Sequence, residues 1–196
     1  MTVPFFSVAD VERAVSPHEA YDAVTKAFVA HTKGDWTMQP KLYVTNYPAG
    51  DFRAMPALGG GHALLKWVTS FPGNPAKGLP TVTGLVLLSN ADTGQLEAVL
   101  DAAGVTALRT AAAGVIAAET LCRPGAESTA VVGCGVNGAE TVRMFRALGT
   151  DVLVWDPHRK TRIGVNDKHH MNMDHSAYEG FEIDGKVDTV ISRGTV

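Results

Sequence analysis

Three glycines, Gly133, Gly135 and Gly138, follow the apolar run Ser128 to Gly133 and open the helical pattern Val136 to Leu148. Glycine at the first position of such a motif permits a tight turn. At the second it lets the backbone approach a pyrophosphate, and at the third it lets helix and strand pack closely. Asp156 closes the next apolar run, Val152 to Asp156, at about the interval where an acid meets the ribose hydroxyls of a dinucleotide. The chemistry expected here is dinucleotide binding.

Three cations suggest a second kind of chemistry. Lys66 stands among apolar neighbours in Ala63-Leu64-Leu65-Lys66-Trp67-Val68, so its ammonium must reach water, pair with an acid or face a ligand. Arg109 lies near the start of an alanine-rich helical segment, where its fork could engage a carboxylate. Lys41 follows Gln39-Pro40 at the opening of a strand-like run. Each has a plain alternative as a solvated surface charge. Together they form a candidate anion site for a small carboxylate, and spatial convergence is the test of that reading.

Two other groups invite a chemical role. His169, His170, Asp174 and His175 have the side chains of a metal site, but neither a His-Glu-x-x-His pattern nor a Cys/His spacing, so a polar loop is expected and no metal. Cys134, inside the glycine motif, is expected to be a small packing residue.

The elements that must position these residues follow from capping and periodicity. Ser16-Pro17-His18-Glu19 is a helix start with a capping box. Ala20, Val24, Ala27, Phe28 and His31 share one face behind it, and Gly34 can end the helix. From Lys41 to Leu100 the chain reads as short strands: Leu42 to Asn46, Phe52 to Ala57, Ala63 to Ser70, Val82 to Ser89 and Gln95 to Leu100. Residues Asn90 to Gly94 have the chemistry of a hairpin loop, and a mostly antiparallel sheet is predicted. Val105 to Leu121 should be a closely packing helix ended by Arg123-Pro124-Gly125, before one β-α-β unit from Ser128 to Asp156. After Pro157 the polar stretch Asn166 to His175 precedes two β-like runs, Phe181 to Ile183 and Val187 to Ser192.

Composition limits the functional classes. The 196 residues are 45% apolar and 19% charged, ordinary for a folded chain. A net charge of −3 and a sequence pI near 6.1 provide no broad basic field for nucleic acid or an anionic membrane. Two cysteines make neither a disulfide framework nor a zinc site, and no signal peptide or transmembrane run is read, so a cytoplasmic protein is expected.

Residues 1 to about 150 resemble the ornithine cyclodeaminase and mu-crystallin family, which includes ketimine reductases and some alanine dehydrogenases. The resemblance is carried by Phe52-Arg53-Ala54-Met55-Pro56-Ala57, Leu65-Lys66-Trp67-Val68, Gly78-Leu79-Pro80-Thr81-Val82, Thr106 to Ala113 and the glycine motif. It implies that Lys66, Arg109 and Lys41 bind the substrate carboxylate, with Lys66 the candidate catalytic residue. It also implies that Thr110, Gly133, Gly135, Val136, Asn137, Gly138 and Asp156 hold the cofactor. NAD is expected and NADP is the alternative, since a carboxylate at Asp156 would repel a 2′-phosphate. The implied substrate is a small amino acid or cyclic imine, the implied reaction hydride transfer, and the implied assembly a homodimer formed through the N-terminal sheet.

The fold class implied is α/β: an N-terminal α+β substrate and dimerisation domain over residues 1–124, a truncated Rossmann-like βαβ unit over 125–156, and a short β-rich tail over 157–196. That tail resembles the C-terminal segment of dihydropyrimidinases and hydantoinases, through Val152 to Pro157, His169 to Gly180 and Val190 to Gly194. On this reading the chain joins two fragments, and the aspartate that assists catalysis in the family is expected to be absent. The alternative function is then a non-catalytic dimeric module that binds NAD or a ligand. A parallel sheet of two strands would leave an open edge unless the tail or a second subunit covers it.

Overall fold

A computed structural model describes residues 2–126, 128–133, 135–162 and 182–191. The chain divides into two units, Met1–Ala117 and Ala118–Val196.

The first unit is built on a seven-stranded mixed sheet. Its strands are β1 (Phe5–Phe6), β2 (Thr37–Met38), β3 (Leu42–Asn46), β4 (Gly50–Gly59), β5 (His62–Ser70), β6 (Val82–Asn90) and β7 (Leu96–Asp101). The order is β1-β7-β6-β5-β4-β2, with β3 also on β4; β1 runs parallel to β7 and the other pairs are antiparallel. The mostly antiparallel sheet predicted from the short runs is therefore present. Asn90 builds the predicted hairpin turn, its side-chain carbonyl accepting from the N–H groups of Asp92 and Thr93.

Register decides what each face of the sheet does. Met55 of β4, Lys66 of β5, Val86 of β6 and Leu100 of β7 are successive cross-strand partners, so their side chains share one face. Asp51, Val68 and Ala98 belong to the same face, and with Lys66 and Val86 they are buried. The row Leu42, Ala54, Trp67, Leu85 lies on the opposite face. There Leu42, Trp67 and Leu85 remain exposed, at 63%, 40% and 41%.

Helices close over the buried face. Ser7 and Asp10 form a capping box at the start of α1 (Val8–Ala14), an element the sequence reading did not foresee, and Ser16 and Glu19 form the predicted one for α2 (Pro17–Lys33). Gly34 ends α2 at φ 83°, in the left-handed region that suits glycine. The predicted apolar face of α2 is only partly used: Ala20 is buried, whereas Phe28 is 51% exposed. The third helix, α3 (Ala102–Leu121), begins three residues before the predicted Val105, because the Asp101 carboxylate accepts from the Ala103 N–H at 2.7 Å and caps it. Gly104 brings α3 against Val8 and Val11 of α1, and Leu108, Ala111, Ala112 and Val115 are buried.

In the second unit, β8 (Ser128–Val132), α4 (Val136–Ala147) and β9 (Asp151–Arg162) form the predicted β-α-β unit, with β8 and β9 parallel. Two expectations are corrected. Strand β9 continues past Asp156 to Arg162, and the two short runs expected near the C-terminus are one strand, β10 (Glu182–Ile191). The reason is pairing: β10 runs antiparallel along β9 from Glu182↔Arg162 to Ile191↔Val152, giving the order β10-β9-β8. Register shifts on either side of the paired stretch Lys186–Val187 accommodate the length. The tail thus covers the edge of β9, one of the two ways expected for closing it.

Candidate functional site

The cationic site begins with Lys66. Its place in β5 turns the ammonium to the buried face, and the residue is only 8% exposed. Nζ donates to Thr106 Oγ1 of α3 at 3.4 Å, and among the described residues no carboxylate pairs with it. Burial pushes the pKa down to about 8, with further lowering from the positive charges of Arg109, Lys41 and Arg53 in that order. The other two cations singled out from the sequence, Arg109 and Lys41, thus lie in the first unit within electrostatic reach of Lys66. Arg109 is an exposed residue of α3 whose guanidinium is partly desolvated, which lowers its own pKa.

Arg53 is the cation that sequence reasoning missed. Strand alternation places it on the same side of β4 as Met55. Its guanidinium is held by Asp51 through two hydrogen bonds of 2.6 and 3.0 Å, and it lies 5.5 Å from the centre of the Tyr43 ring. Those bonds raise the Arg53 pKa and lower that of Asp51. Asp51 thus neutralises Arg53, while Lys66 keeps an uncompensated charge in a buried position. Such a group is expensive unless an anion completes it.

Two cavities border the cations. One, of about 320 Å3, is lined by Met38, Gln39, Pro40, Lys41 and Met55, the last being the cross-strand partner of Lys66. The other, of about 360 Å3, has apolar walls from α1, α2, α3 and the strand ends Phe6 and Leu100, with Arg109 and Asp10 among its lining residues.

The glycine turn belongs to the second unit. Gly133 adopts φ 93°, which only glycine takes readily. A Cβ on Gly138 would stand 2.0 Å from the Gly133 carbonyl oxygen, so the third glycine is required by close packing. Gly135 differs: its φ is −68° and nothing lies within 4 Å of where a Cβ would be. Among the described residues neither conformation nor internal packing demands glycine there. Gly135 is the N-cap of α4 and no side chain caps that end, so Val136, Asn137 and Gly138 open the helix with amides available to an anion. These residues fit the phosphates of a dinucleotide.

Two further candidates complete the set. The Thr110 hydroxyl of α3 is buried without a hydrogen-bond partner among the described residues. Asp156 follows the last parallel pair, Val132↔Trp155, at the end of the strand pairing from which the Gly133 turn departs. His169, His170, Asp174, His175 and Cys134 lie outside the described residues. Among the described residues no helix is long and apolar enough to cross a membrane.

The chain carries Lys66, Arg109 and Lys41 on an α+β unit and a glycine turn on a β-α-β unit. Residues 3–170 match the model of the ornithine cyclodeaminase/mu-crystallin family, and the chain belongs to that family. The match continues beyond the residue near 150 where the sequence reading placed its end. The alanine dehydrogenase of Archaeoglobus fulgidus is 48% identical over 154 residues, covering 77% of this chain and 47% of the relative. The N-((2S)-2-amino-2-carboxyethyl)-L-glutamate dehydrogenase of Staphylococcus aureus is 34% identical over 145 residues, covering 68% and 43%.

Solved structures agree. An archaeal alanine dehydrogenase dimer with bound NAD superposes with a TM-score of 0.70 at 43% identity, over 75% of this chain and 46% of that one. The Thermococcus litoralis Δ1-pyrroline-2-carboxylate reductase in complex with NADH and L-proline follows at 0.67 and 26%, over 71% and 44%. The chain spans about half the length of these relatives. A stretch of 44 residues is 54% identical to the D-hydantoinase of Streptomyces coelicolor, covering 22% of this chain and 9% of that enzyme.

Proposed function

We propose that this chain carries the substrate-binding and nucleotide-binding parts of an NAD(P)-dependent enzyme that acts on a small amino acid or cyclic imine. The observation that carries the reading is the buried ammonium of Lys66, which has no carboxylate partner among the described residues and feels the charges of Arg109 and Lys41. A substrate carboxylate would supply the missing negative charge, with Lys66 as a desolvated point charge and Arg109 as a planar fork. Binding there would fix the orientation of the adjacent α-carbon. With a pKa of about 8, Lys66 is also able to hold or release a proton at the α-nitrogen near neutral pH.

Gly133, Gly135, Val136, Asn137 and Gly138 would hold the cofactor phosphates, with Asp156 meeting the ribose. When bound, the nicotinamide supplies or accepts the hydride in the interconversion of amine and imine. NAD is favoured over NADP by the acid at position 156.

The exposed row Leu42, Trp67 and Leu85, together with Phe5 at 57% and Val44 at 51%, supports a homodimer in which a second copy covers the outer face of the sheet. The D-hydantoinase-like stretch favours a second reading, a fused module that binds its ligands without turnover.

Titration of NADH with the full chain, followed by its fluorescence, tests the nucleotide half. Assays with alanine, ornithine and a cyclic ketimine test the chemistry. Binding with no turnover selects the second reading, and no fluorescence change at millimolar NADH removes both.

A further inference from the structure

We infer that Thr106 is a positioning residue for Lys66: its hydroxyl holds the ammonium in one direction and leaves the charge free for a bound anion. The inference rests on the carboxylate-binding reading above and adds a residue to which that reading gives no part. Lysine carries its charge on a flexible stem, so a buried ammonium keeps one direction where an acceptor fixes it. The cross-strand partners of Lys66, Met55 and Val86, are apolar, and Asp51 on the same face gives both carboxylate oxygens to Arg53. The acceptor that remains among the described residues is Thr106 Oγ1 of α3, at 3.4 Å.

Other helical threonines use their hydroxyls differently. Thr25, Thr32 and Thr141 donate to the carbonyls of Tyr21, Phe28 and Asn137, each one turn earlier in its own helix. Thr106 makes no such bond among the described residues, and its oxygen accepts from Lys66 instead. Threonine is a poorer helix former than the alanines around it in Ala102–Leu121, so helix formation gives no reason for it at position 106. A carboxylate there would hold the ammonium as well but would also neutralise it. A hydroxyl orients the group without cancelling its charge. Arg109 follows Thr106 at the spacing that places two residues on one stripe of a helix, so α3 carries both the hydroxyl that orients Lys66 and the guanidinium proposed to share the anion.

Calorimetry of pyruvate binding to the full chain between pH 6 and pH 10 tests the inference, with Thr106→Val and Thr106→Ala removing the acceptor and Thr106→Ser keeping it. Both removals should weaken binding about tenfold at pH 7, because a hydrogen bond to a charged group is lost and the ammonium is free to turn away. The hydroxyl accepts from the charged form and so favours it; without it, the decline of affinity with pH should begin lower by about half a unit or more. Thr106→Ser should restore the midpoint, and the affinity to within about threefold. Lys41, Arg53 and Arg109, which act on Lys66, and Asp51, which holds Arg53, are the same in every variant, so the shift reports position 106. Thr106→Ala, which favours the helix, carries the test should Thr106→Val not fold. Wild-type affinity in the folded variants without the hydroxyl overturns the inference. A loss with an unmoved midpoint, or an equal loss in Thr106→Ser, overturns it too, since either marks a packing role. The carboxylate reading fails separately: pyruvate binding by Lys66→Gln equal to that of the wild type overturns both.

Discussion

The Lys66 ammonium donates to the Thr106 hydroxyl at 3.4 Å, joining β5 to α3 across 40 positions of sequence. A neutral hydroxyl satisfies one of three ammonium donors and none of the charge. The fold therefore holds a cation in a place that costs stability, and the cost is intelligible as preparation for an anion.

Lys66→Met should stabilise the chain while removing carboxylate binding. The Lys66 pKa lies near 8 in the fold against 10.5 in the ordinary range, so the charged form is disfavoured by folding. Below pH 8 that penalty is fully present, on the order of 2–3 kcal/mol. Between about pH 8 and 10.5 the unfolded state binds more protons than the folded one, so wild-type stability should rise with pH and the advantage of the variant should shrink. Urea unfolding of both proteins at pH 7 and pH 10 checks this; equal stability at pH 7 would show that Lys66 carries no penalty.

Binding of a small carboxylate should weaken above pH 8. The anion needs the protonated ammonium, so affinity for pyruvate should fall by up to about tenfold per pH unit beyond the Lys66 pKa. Binding should also draw in a proton near pH 8, because the bound charge raises that pKa. Calorimetry in buffers of different ionisation enthalpy measures the uptake, and a pH-independent affinity between 7 and 9.5 would disprove the role given to Lys66.

Gly138→Ala and Gly135→Ala should separate packing from ligand approach. A methyl at 138 meets the Gly133 carbonyl at 2.0 Å, so the turn must shift and the second unit should lose about 1–3 kcal/mol. A methyl at 135 meets nothing within 4 Å, so circular dichroism should be unchanged while NADH affinity falls by about tenfold or more. Unaltered NADH binding in Gly135→Ala would remove the ligand-based rationale for that glycine. Thr110→Val should leave stability level or raised by up to about 1 kcal/mol in urea unfolding, since the lost hydroxyl has no partner among the described residues.

Leu85→Lys should abolish dimerisation. Leu85 is 41% exposed in the row with Trp67 and Leu42, where a lysine would interrupt an apolar face without touching the buried one. Light scattering should report a dimer for the wild type and a monomer for the variant, and a monomeric wild type would refute the assembly.

Local chemistry was legible in the sequence wherever one residue type answers one physical demand. Ser16 with Glu19 starts α2 and Gly34 stops it at φ 83°; Asn90 shapes the hairpin; Gly133 and Gly138 make the turn before α4. The three cations were legible as a candidate anion site from their surroundings, and resemblance implied their role on a substrate carboxylate. The start of α3 was misplaced because the cap is the carboxylate of Asp101, at a strand end that already read as β.

What only the tertiary structure decided is which way the strands face and who pairs with whom. Side chains alternate along a strand with period two, so one step of register would have sent Lys66 to the exposed face and Trp67 to the buried one. Nothing within Leu65-Lys66-Trp67-Val68 chooses between them; the pairing with Met55 and Val86, and Thr106 above, make the choice. Arg53 acquires its place from the same register and its neutral pairing from Asp51. The edge of β9 was likewise settled by β10, a partner some thirty residues on, because a strand's backbone carries no mark of which other strand will satisfy its hydrogen bonds.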